Sequence, residues 1–166
     1  MVLAMILLSL SPFTSAQDRG GGSGGQGRHG GELVDCKVVV TLKSVTFWVD
    51  NEAWDDEYSL DVRIFGRATN LKYDVAGGTT LPYTVAVGKE VYSGNVLFKD
   101  MKVTIPISLE ATELDVLVDD HAAGHLTVKE ICPGSIEVSG SAVSYYSSGV
   151  LGPVDVEFTF SIVLDP

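Results

Sequence analysis

Two stretches of the chain concentrate acid without base. The first, DNEAWDDEYSLD, runs from Asp50 to Asp61 and holds Asp50, Glu52, Asp55, Asp56, Glu57 and Asp61. The second, EATELDVLVDD, runs from Glu110 to Asp120 and holds Glu110, Glu113, Asp115, Asp119 and Asp120. Carboxylates brought together in such numbers repel one another unless protons or a cation neutralise them. Hard oxygen donors suit Ca2+, which accepts six to eight of them in irregular geometry. Asp50, Asp55, Asp56, Asp119 and Asp120 are therefore the expected metal ligands, provided that the two loops meet. The competing expectation is a solvated, solubilising surface, which is what charge runs usually provide. Asp155, on the last strand pattern, is expected away from these loops.

Two tryptophans bracket the first acidic loop. Trp48 follows Phe47 in an apolar strand pattern and is expected in the core. Trp54, between Ala53 and Asp55, is harder to bury and is the expected contact residue, able to touch a membrane interface or stack on a sugar ring. His121 and His125 have the spacing of a helical zinc pair, but Gly124 and the short segment argue against a helix. An exposed loop carrying two histidines is the expected outcome. The chain has no GxSxG, HExxH, phosphate-binding loop or dinucleotide fingerprint, so an enzyme is not expected.

The elements that would position these residues are strands. Apolar and polar residues alternate through Tyr58–Phe65 and Val154–Leu164, and similar patterns run through 36–49, 81–87, 103–109, 114–118, 126–131 and 136–146. Turn residues punctuate them at Ala76-Gly77-Gly78, Ser93-Gly94-Asn95, Pro133-Gly134 and Gly149–Pro153. No helical period is convincing. The expected fold class is all-β: an antiparallel two-sheet β-sandwich of about eight strands, C2-like or immunoglobulin-like. Pro106, inside a strand pattern, marks an edge or a bulge.

The first acidic loop and its strand resemble a known family. Asp55-Asp56-Glu57-Tyr58-Ser59-Leu60-Asp61-Val62-Arg63-Ile64 is similar to the Ser-Asp-Pro-Tyr-Val run of C2 domains, with Asp56 and Tyr58 at the matching positions and Glu57 where the family has Pro. Leu114–Asp120 followed by HAAGHL resembles that family's third calcium loop, with Asp119, Asp120 and Gly124 matching. The resemblance implies that Asp50 is the earlier aspartate of the first loop. It also implies Ca2+-assisted contact with a lipid surface. The alternative is a metal-free structural or adhesive extracellular module that binds protein or glycan through a sheet face.

Compartment and domain limits follow from the amino-terminal residues. Val2–Leu10 is apolar, breaks at Ser11-Pro12 and precedes Thr14-Ser15-Ala16, the pattern of a secretory signal peptide over residues 1–16. Residues 17–31 are Gly-rich and polar, with nothing to bury, and read as a flexible linker. The folded domain is expected over 32–166. The expected location is secreted, extracellular, with no transmembrane segment, because the apolar run is too short to span a bilayer. In that compartment Cys36 and Cys132 are expected to form a disulfide. A formal net charge of −11 argues against nucleic acid as a partner, since phosphate binding needs clustered Lys and Arg.

Overall fold

The computed structural model describes residues 33–48, 56–114, 120–144 and 155–166. The expected signal peptide and linker, residues 1–16 and 17–31, lie outside the described residues. Eight strands follow one another: β1 (Leu33–Phe47), β2 (Asp56–Ile64), β3 (Arg67–Val75), β4 (Tyr83–Lys99), β5 (Lys102–Leu114), β6 (Asp120–Ile131), β7 (Gly134–Ser144) and β8 (Asp155–Asp165). No described helix is long and apolar enough to cross a membrane.

Period-two patterning decides which face each strand buries. On β2, Tyr58, Leu60, Val62 and Ile64 point inward, and on β5 Val103, Ile105, Ile107, Leu109 and Ala111 do the same. On β1 the buried positions change parity, from Cys36, Val38, Val40 and Leu42 to Val45 and Phe47. A register shift between Leu42 and Ser44, against both neighbouring strands, accompanies the change: against β8, Lys43 is the extra residue of a bulge, whereas against β4 the extra residue lies on β4.

The fold is all-β and antiparallel, as expected, but the strands do not form two separate sheets. They make one hydrogen-bonded sheet in the order β3-β2-β5-β6-β7-β8-β1-β4, curled into a nearly closed barrel. Among the described residues, β6 and β7 pair at the middle of the sheet through Ala122↔Ser144 and Ala123↔Val143. The edge strands β3 and β4 carry no backbone ladder between them. Side chains bridge them instead: Thr69 Oγ1 donates to the Val91 carbonyl at 3.1 Å, and the Arg67 guanidinium reaches the Ser93 carbonyl at 3.5 Å.

Two sequence expectations about strands fail for local reasons. Ser93-Gly94-Asn95 is not a turn but the middle of β4. The Tyr92 hydroxyl would lie 2.9 Å from a Cβ at position 94, so glycine there makes room for a ring and does not bend the chain. Arg67–Val75 gives no apolar run, yet it forms β3, an edge strand that buries only Leu71 and Val75 fully. Pro106 does occupy an edge: β5 pairs with β2 only from Ile107 onward, so its Lys102–Pro106 stretch has a strand on one side alone.

The lower end of the barrel is stapled. Cys36 of β1 is bonded to Cys132, with 6.5 Å between their Cα atoms, and the Cys132 amide donates to the Met101 carbonyl at 3.0 Å. These bonds tie the β6–β7 turn to the β4–β5 turn and both to β1.

Candidate functional site: the upper rim

The connections of the barrel are sorted by length between its two ends. At the lower end, Phe65-Gly66, Asp100-Met101 and Cys132-Pro133 join consecutive strands by two residues each. Phe65, Gly66, Asp100 and Met101 all have positive φ, the left-handed conformation of the tightest turns. At the upper rim β1 ends, β2 begins, β3 ends, β4 begins, β5 ends, β6 begins, β7 ends and β8 begins, so the longer connections 48–55, 76–82, 115–119 and 145–154 all leave from it. Both acidic stretches fall on this rim.

Strand register brings the strand ends that flank the two acidic connections side by side. Glu57 stands opposite Leu114, Tyr58 opposite Glu113, and Glu113 in turn opposite Asp120. The first acidic connection therefore enters β2 one strand away from the point where the second leaves β5, and two from its entry into β6. Of the expected ligands, Asp56 and Asp120 open β2 and β6. Asp50, Asp55, Asp119 and the contact residue Trp54 lie outside the described residues. Among the described residues no cluster of three or more metal-binding side chains occurs. Asp155 is not remote from the rim, because it opens β8 there, opposite Val143.

The structure adds one carboxylate to this rim that strand patterning could have singled out. Glu113 is only 7% exposed and continues the inward series Leu109, Ala111 on β5. It sits in a cross-strand row with Tyr73 of β3, Tyr58 of β2 and Asp120 of β6. Tyr58 is fully buried, and its ring meets Phe47 of β1 across the barrel interior with 4.6 Å between centroids. A carboxylate in such a layer needs hydrogen bonds or opposing charge to stay ionised. Burial raises the Tyr73 phenol above its ordinary range. The signal in the sequence was parity: Glu113 is an odd residue on a strand whose odd residues are apolar.

Trp48 is not in the core. It is 47% exposed at the end of β1, and its indole Nε1 donates to Glu157 Oε2 at 3.3 Å, which holds the ring against β8 at the rim. The inward residue is its neighbour Phe47, because the bulge at Lys43 has already reset the parity.

The histidines belong to neither a helix nor a loop. His121 and His125 both lie on β6 and are exposed on its outer face. Four residues of strand separate them by about 13 Å, too far for one ion to bridge. Each ring instead pairs across to β5, with His121 Nδ1 3.0 Å from Thr112 Oγ1 and His125 Nδ1 3.3 Å from Ser108 Oγ.

On the outer face of β2 and β3, Lys72 Nζ binds Glu57 Oε1 at 2.6 Å, and Glu57 holds the Lys72 ammonium above its usual range. Asn70 Nδ2 donates to Ser59 Oγ at 2.9 Å and to Asp61 Oδ1 at 3.2 Å. Glu57 and Asp61, both members of the first acidic stretch, are thus engaged on the outer sheet face, facing away from the core.

No family model matches the chain, and no curated protein sequence matches it.

Proposed function

We propose that this is a secreted, non-enzymatic binding module that works through its upper rim, with Ca2+ held between the two acidic connections and bridging to a lipid surface or a surface partner. The observation that carries this reading is the register Tyr58↔Glu113↔Asp120, which puts the acidic connections on neighbouring strands at one end. The all-β, antiparallel architecture is the class to which C2 domains, resembled by the Asp56 and Asp120 segments, belong, although its strands here form one curled sheet. The disulfide agrees with an oxidising compartment.

A bound cation would reverse the local sign of the rim and let it approach anionic headgroups that the carboxylates alone repel. Trp54 would then supply an apolar anchor. Sedimentation with anionic and neutral liposomes, in Ca2+ and in chelator, tests this. Binding to anionic liposomes only in Ca2+, weakened by Trp54→Ala, is the expected result. Binding indifferent to Ca2+, or none by a folded protein, would overturn it.

The second reading, a metal-free adhesive module, draws on the other half of the sheet. Its outer face presents small hydroxyls in register, with Ser139 and Thr159 3.1 Å apart and Thr46 and Thr84 2.9 Å apart. Such a face can exchange hydrogen bonds with glycan or protein without a cation.

A further inference from the structure

The strongest unexplained feature is the lower part of β4, from Gly94 to Lys99. Along one side it pairs with β1, Val34↔Phe98 through Val38↔Gly94, and on the other side no described strand pairs with it. Its would-be neighbour β3 begins at Arg67, whose guanidinium reaches only as far as the Ser93 carbonyl. Beyond that point no described strand meets the outward backbone donors and acceptors of β4, an edge of the kind that templates another strand.

The side chains of this edge lack the usual protection. Proteins blunt free edges with proline, bulges, inward charges or central lysines. Between Gly94 and Lys99 there is no proline, the register with β1 is unbroken, and the inward residues Val96 and Phe98 are apolar and half-buried. The outward residue at the centre, Leu97, is 64% exposed, as is Leu33 on the adjoining β1. The other edge strand differs, since β3 carries Arg67, Lys72 and Asp74 among its exposed or outward residues.

We infer that this edge pairs with the same edge of a second copy, antiparallel about a two-fold axis at Leu97. The segment is complementary to itself in that register: Leu97 faces Leu97 of the partner, Val96 faces Phe98 on the inner side, and Lys99 faces Asn95 on the outer side. No charge stands directly opposite its like, and Asp35, in register with Leu97 on β1, lies one strand removed from the axis. Pairing would satisfy the free backbone groups of both edges and cover Leu97, and it is isologous, so it closes as a dimer and does not extend as a filament. The interface lies away from the acidic rim, so the proposed Ca2+ and lipid contacts stay open in the dimer.

Analytical ultracentrifugation of the full folded chain across a hundredfold concentration range tests the inference. A monomer–dimer equilibrium is expected, and Leu97→Lys should raise its dissociation constant at least about tenfold, or 1.4 kcal/mol, while at concentrations where both proteins are monomeric the circular dichroism melt should be unchanged, because Leu97 there points to solvent. Leu97→Cys, whose thiol would face its own symmetry mate, should form an intermolecular disulfide under mild oxidation, while Lys99→Cys, facing Asn95, should not. A protein monomeric at every concentration would overturn the inference. So would a dimer that Leu97→Lys leaves intact, or equal cross-linking by both cysteine variants.

Discussion

Gly124 of β6 lies directly against the Ser141 carbonyl of β7: a Cβ on Gly124 would overlap that oxygen and press on Ala142. At Gly140, one residue before Ser141, a Cβ would meet Leu109 Cδ1 at 3.1 Å. These two glycines let β7 cross close over the inner side of β6 just past their short ladder, at the place where the sheet turns its corner. The Gly that resembles part of a calcium loop is, in this fold, a packing residue inside a strand.

Gly124→Ala should therefore destabilise the fold severely, by about 3 kcal/mol or more, because the obstruction is backbone and cannot rotate away. Gly66→Ala provides the comparison. It has positive φ but open space around it, so strain alone should cost about 1 kcal/mol. Urea titration of both variants checks the order.

Replacing both Cys36 and Cys132 with alanine should cost about 4–5 kcal/mol, since the bond closes a loop with a sequence separation of 96. The same loss should follow reduction of the wild-type protein. Denaturant midpoints with and without reductant, at matched pH, measure it.

Under the proposed function, Ca2+ at a hundredfold excess over its Kd should stabilise the protein by about 2.7 kcal/mol through mass action. Asp56→Asn and Asp120→Asn, at the openings of β2 and β6, should each shrink the rise in Tm. Asp165→Asn, at the opposite end of the barrel where β8 finishes, should leave it intact. Asp155 is unsuitable as that control because β8 starts at the rim. Identical melts in Ca2+ and chelator would favour the metal-free adhesive module.

Alkaline pH should erode stability through Tyr73 and Lys72. Burial raises the folded-state pKa of Tyr73, and Glu57 raises that of Lys72. In both cases the unfolded chain releases its proton first, so stability is full below about pH 10 and falls as pH climbs through the folded-state values. Phenolate absorbance should show a late-ionising tyrosine that Tyr73→Phe removes.

The sequence by itself determined the all-β class, most strand positions and the disulfide, because alternation of apolar residues is a local property and two cysteines allow one intramolecular pairing. Tyr58–Ile64 and Val156–Leu164 bury the side that their period predicts. It also marked Pro106 as an edge or a bulge, and the structure makes it an edge. Where the sequence misled, packing and strand register overrode a residue's usual preference. Gly94 reads as a turn until the Tyr92 ring fills its missing side chain, and Trp48 reads as core until a bulge five residues earlier shifts the parity. The polar β3 gives no apolar run, because an edge strand buries so little. Only the tertiary structure decided that eight strands would curl into one sheet, that the longer connections would gather at one rim, and that Glu113 would stand in register with Tyr58 and Asp120. Those relationships depend on which strands pair and in what register. Pairing is set by the fit of whole faces against one core, and no stretch of sequence carries that information alone.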